Sequence, residues 1–125
     1  MTDTLALSRA EEWRRRQEAG DAEYLRTIWA ADAQGTSELT RGWVRGQSIL
    51  AQHIAAELPR ITDLHLVIED YAIRRWGAVE VETFLLRQLF IFDGEQGESC
   101  APTTLIWHQE GDAWKLALVH SVALA

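Results

Sequence analysis

Apolar residues fall at helical spacing in the first half of the chain and at alternate positions in the second. Ser8 followed by Glu11 is a capping box and predicts a helix with Leu5, Ala6, Trp13 and Gln17 on one side and Arg14 to Arg16 on the other. Gly20 ends it and Asp21 caps a second helix. The stripe Tyr24, Leu25, Ile28 and Trp29 carries that helix to about Asp32, and residues 34–37 read as a loop. Gly42 and Gly46 bracket a short strand of Trp43, Val44 and Arg45. Ile49, Leu50, Ile54 and Leu58 predict a third helix over 47–58, closed by Pro59.

The period then changes to two. Leu64, Leu66 and Ile68 alternate with His65, Val67 and Glu69, in a strand that can run to Arg75. Trp76-Gly77 reads as a turn. From Val79 to Phe92 one face carries Thr83, Leu85, Arg87 and Leu89, and the other Glu80, Glu82, Phe84 and Leu86. Residues 93–97 read as a hairpin loop, 101–109 as the next strand, 110–112 as a tight turn and 114–124 as the last strand. Short turns between consecutive strands make an antiparallel meander. Three helices ahead of such a sheet predict an α+β layer fold. The sheet is apolar on both faces, and the helices can cover only one. A second copy of the chain is the simplest cover for the other, so a homodimer through the exposed sheet face is expected.

The chain has 125 residues, which fits a single domain over 1–125. Its net charge is -7, and residues 63–125 hold ten acidic against four basic side chains. No broad basic face exists to neutralise phosphates, which excludes nucleic acid as the main partner. Arg14 to Arg16 lie among Glu11, Glu12 and Glu18 at helical spacing, the pattern of an ion-paired helix surface. Cys100 stands alone, so no internal disulfide forms. His residues show neither HxH nor HxxxH spacing, and neither a metal nor another cofactor is expected. No stretch approaches a membrane span, the first seven residues lack the form of a signal peptide, and a cytoplasmic protein is expected.

The C-terminal strand pair resembles that of the nuclear transport factor 2-like proteins of the SnoaL-like type. It runs Ile106-Trp107-His108-Gln109-Glu110-Gly111-Asp112-Ala113-Trp114-Lys115 and ends in Val119-His120-Ser121. Ala19-Gly20-Asp21, Gly46 and Arg87 add to the likeness, which spans nearly the whole chain. In this stretch the sequence is most similar to the association domain of calcium/calmodulin-dependent protein kinase II. The resemblance implies a cystatin-like cone: three N-terminal helices on a curved antiparallel sheet of about four long strands plus a short one, with a pocket at the open end. Related proteins include ketosteroid isomerase, scytalone dehydratase, limonene epoxide hydrolase and non-catalytic assembly modules.

The residues that do the isomerase's chemistry are not matched in kind. In an ungapped register Trp13 stands at its Tyr, Ser37 at its base, and Thr103 or Thr104 near its acid. The dehydratase and epoxide hydrolase patterns lack their His–Asp pair and their Asp–Arg–Asp set. The remaining candidates are Arg87 as an anchor for a ligand carboxylate, or else paired with an acid such as Glu57 or Asp32; His120 as an acid or base; Trp13 and Trp29 as pocket wall; and Trp43 at the rim. His53 reads as a surface residue, and Glu80 and Glu82 as solvent- or dimer-facing. Two functions follow. One is a cavity protein for a small apolar or anionic ligand, with lyase, isomerase or hydrolase chemistry open to it. The other is a non-catalytic oligomerisation module.

Overall fold

The helices begin where side chains supply a cap. Ser8 Oγ accepts the backbone N–H of Glu11 at 3.0 Å and starts α1 (Arg9–Glu18). Gly20, at a φ of 64°, ends it in the left-handed region that suits glycine. Asp21 accepts the N–H of Tyr24 at 3.1 Å and starts α2 (Ala22–Thr27). In the computed structural model, which describes residues 4–37 and 42–124, these helices lead into β1 (Trp29–Ser37) and β2 (Gly42–Arg45). Then come α3 (Gln47–Glu57), a single 3-10 turn (Leu58–Arg60), β3 (Ile61–Trp76), β4 (Val79–Phe92), β5 (Glu95–Glu110) and β6 (Ala113–Ser121). The expectations that fall on residues 1–3 and 125, the start of the signal-peptide reading and the ends of the 1–125 domain, lie outside the described residues.

Among the described residues the sheet has six strands, in the order β2-β1-β6-β5-β4-β3. It therefore exceeds the expected four long strands and a short one, and it is not wholly antiparallel. The stretch from Trp29 to Ser37, expected as helix end and loop, is a strand that pairs in parallel with β6. Local preference there is weak, in a run of Ala, Asp, Gln and Gly. The open edge of β6 supplies what the sequence does not: Leu116 donates its backbone N–H to Ile28 O at 2.8 Å, and Trp29 then registers on Leu116. The β4–β5 turn is also tighter than expected. Asp93 and Gly94 alone make it, both at positive φ, and Phe92 registers on Glu95.

Bulges bend the sheet round the helices. β3 is interrupted between Thr62 and His65 and between Glu69 and Ala72, where Asp63 and Asp70 take positive φ. The core lies between the concave face and the helices. It gathers Ala10 and Trp13 from α1, Leu50 from α3, and Leu66, Phe84, Leu86, Leu105, Trp107 and Leu116 from the sheet. No helix among the described residues is long and apolar enough to cross a membrane.

The inward face of β4 is the reverse of the one expected. Glu80 is 2% exposed and Glu82 0%, on the same side as Phe84 and Leu86. Burial of a carboxylate is tolerable only where donors converge on it. Trp107 donates its indole N–H to Glu82 Oε1 at 2.7 Å. The Tyr71 hydroxyl and the Ala10 backbone N–H donate to Oε2 at 2.6 and 3.1 Å. Ala10 is in the first turn of α1, where N–H groups lack helical acceptors, so Glu82 ties that helix to the sheet. Glu80 is held by Arg75 at 2.5 Å, with Arg9 at 3.5 Å; Arg9 in turn stacks on Trp114 at 4.5 Å.

Candidate functional site

Away from the two glutamates, the helices and the concave sheet leave a cavity of about 490 Å³. That is within the range of small-molecule sites. Trp13 and Trp29 line its helix side, and Phe90 and Phe92 its sheet side. Trp29 is fixed by donating its indole N–H to Leu25 O at 2.9 Å, which leaves the ring as an apolar wall. Phe90 lies over Gly97, its register partner on β5. A Cβ there would come within 2.6 Å of the ring, so only glycine leaves Phe90 its place.

Polar groups in the lining are few. Ser37, the buried last residue of β1, brings its Oγ to 3.1 Å from His53 Nε2. The same ring nitrogen is 3.3 Å from Glu57 Oε1, one helical turn further along α3. Ser37, His53 and Glu57 all line the cavity, as do Gln17, Gln88 and Ser99. Gln17 Nε2 is buried and has no hydrogen-bond partner among the described residues. A smaller cavity of about 310 Å³ adjoins the first, and Gln17, Leu25, Ile54, Glu57, Ile61 and Leu64 line both. The described lining includes no Arg or Lys side chain. Among the described residues no three His, Cys, Asp or Glu side chains group as a metal site.

Two of the expected site residues, Trp13 and Trp29, line the cavity; three do not. Arg87 is on the convex face, 54% exposed, with its Nε donating to Glu69 Oε1 at 2.6 Å. It pairs with an acid, but one on β3 rather than Glu57 or Asp32. Its face of β4 is outward because the opposite face carries the larger apolar side chains and two carboxylates that find buried donors. Trp43 is 43% exposed, and its ring stacks on that of His120 at 5.8 Å. His120 is exposed because β6 slips. Leu116 registers on Trp107 but Leu118 on Ile106, with Ala117 as the extra residue. His120, in phase with buried Leu116 by count, therefore faces away from the cavity, and Val119 and Ser121 line it instead.

His53, Glu57 and Gln17 are the residues that sequence reasoning did not select. The signal was present for His53: it follows core Leu50 by three positions and precedes Glu57 by four, on one side of α3. Ser37 alternates with Ala33 and Gly35, a pattern with meaning only once the segment is known to be a strand.

No protein-family model matches the chain, and no curated protein matches it. Solved structures do. A candidate dehydratase from the nuclear transport factor 2-like family of Streptomyces avermitilis aligns at a TM-score of 0.83 and 16% identity, over 93% of this chain and 91% of its own. A nuclear transport factor 2-like protein of unknown function in nutrient uptake from Rhodospirillum rubrum gives 0.77 and 23%, over 93% and 95%. A candidate calcium/calmodulin-dependent protein kinase II association domain from Xanthomonas campestris gives 0.78 and 15%, over 98% and 95%. At these identities the likeness establishes the fold, the cystatin-like α+β fold of the nuclear transport factor 2-like proteins.

Proposed function

We propose that this chain, with the fold of the nuclear transport factor 2-like proteins, binds a small and largely apolar molecule in its cone. The observation that carries the reading is the cavity itself: about 490 Å³, walled by Trp13, Trp29, Phe90 and Phe92, with polar groups at a few points only. Aromatic walls supply affinity through burial, and a few polar groups fix orientation. The polar centre is Ser37, His53 and Glu57, in place of Arg87 and His120. A proton moved to or from the bound molecule would pass through the His53 imidazole or the Glu57 carboxylate. The description of the Streptomyces avermitilis protein as a candidate dehydratase is in keeping with a reactive cavity of this kind.

Native mass spectrometry before and after mild denaturation tests the reading. The expected result is a small bound mass released on unfolding and absent from Ser99→Trp, whose indole would fill the cavity. A native protein that retains no small molecule, and takes up no aromatic compound that Ser99→Trp excludes, would refute it.

A second reading, self-association, is favoured by the convex face. Val67 is 52% exposed and Leu89 55%, on neighbouring strands, beside the Arg87–Glu69 pair. Association domains are among the similar structures. A homodimer that covers this face leaves the cavity open, so the two readings are compatible.

A further inference from the structure

Gln17 and Glu57 both line the two adjoining cavities, and their side chains have opposite hydrogen-bonding chemistry. Gln17 presents a buried amide N–H that no described residue accepts. An unpaired buried donor costs free energy until an acceptor arrives, so this group is poised for one. Glu57, as a carboxylate, only accepts. The described lining adds no guanidinium or ammonium to offset that negative charge, and the chain as a whole carries -7. A ligand carboxylate brought here would meet Glu57, and the one basic group in the described lining, the His53 imidazole, is already engaged with Glu57 at 3.3 Å, inside apolar walls where repulsion is poorly screened.

We infer that the cavity selects an uncharged aromatic or alicyclic molecule bearing a hydroxyl group, and discriminates against the corresponding carboxylate. A hydroxyl satisfies both residues at once: its oxygen accepts from Gln17 Nε2 and its hydrogen goes to Glu57. The inference rests on the binding-cavity reading above and names the ligand class for that site. It also reverses the expectation of an anionic ligand that Arg87 had suggested.

Calorimetric titration with naphthol, naphthoate and naphthylmethylamine, all substituted at the same ring position, tests it at neutral pH. Naphthol is expected to bind at least about tenfold more tightly than naphthoate. Gln17→Leu should weaken naphthol by about tenfold, the loss expected when one buried hydrogen bond is removed, without lowering the melting temperature of the free protein, where the deleted donor has no partner to lose. Glu57→Gln should bring naphthoate to within about threefold of naphthol by removing the repelling charge. Naphthoate binding as tightly as naphthol to the unaltered protein overturns the hydroxyl inference alone. Tightest binding of the amine, abolished in Glu57→Gln, overturns it in favour of a cationic ligand. Failure of all three compounds to bind at millimolar concentration removes the cavity reading and this inference with it.

Discussion

Ser37 Oγ and His53 Nε2 lie 3.1 Å apart, joining the end of β1 to the cavity side of α3 across sixteen residues of sequence. Glu57 Oε1 is 3.3 Å from the same nitrogen. One ring nitrogen thus faces a hydroxyl, which can give or take a proton, and a carboxylate, which can only take one.

The carboxylate decides the tautomer. Neutral His53 is expected to carry its proton on Nε2, leaving Nδ1 bare. Long-range nitrogen–proton correlation spectra of the imidazole check this directly. A predominant Nδ1–H form in the unaltered protein would show that Ser37, not Glu57, governs the ring.

Glu82 accepts from Trp107, Tyr71 and the Ala10 backbone, and has no exposure. Glu82→Leu keeps the volume but strands three donors. A loss on the order of 3 kcal/mol is expected, from a cost of roughly 1–3 kcal/mol for each unsatisfied buried group and partial relaxation. Urea unfolding measures it, and a variant as stable as the parent would mean that water reaches those donors.

Burial raises the pKa of Glu82 above its ordinary 4.5, outweighing its three hydrogen bonds. The folded chain therefore holds that proton to higher pH than the unfolded chain does. Stability from this group is greatest at low pH and falls as pH rises from about 4.5 through the raised folded value. In urea melts across that range, the stability of the parent relative to Glu82→Gln should decline with pH. A difference that stays constant, or grows, contradicts the assignment.

Gly97 matters through Phe90. A methyl group at Gly97 would come within 2.6 Å of the ring and push it into the cavity. Gly97→Ala is expected to cost about 1–2 kcal/mol, typical of overpacking, and to weaken any aromatic ligand. Unfolding and calorimetry on the same variant separate the two effects; unchanged values for both would place the ring elsewhere.

Leu89 tests the convex face. Leu89→Glu puts a charge on the proposed contact while leaving the cavity lining untouched. Sedimentation should show the parent as a dimer and the variant shifted to monomer, with ligand binding retained. A parent that sediments as a monomer ends the self-association reading.

Much of this architecture is written in short-range pattern. Ser8 and Asp21 as helix caps, the alternation of β3 and β4, and the glycine turns at 77, 94 and 111 follow from backbone sterics and period, which act over a few residues. Trp13 and Trp29 were legible as inward because large aromatics at those positions leave water. Which face of β4 turns inward was not. Alternation defines two faces without naming the buried one, and a rule that charges stay outside misassigns Glu80 and Glu82, whose donors come from three other elements, α1, β3 and β5. Nor was the one-residue slip at Ala117 visible, and that slip alone moves His120 from the cavity side to the surface. β1 became a strand because β6 offered it an edge. Ser37 and His53 then met because β1 and α3 pack together, a long-range outcome that no local spacing encodes.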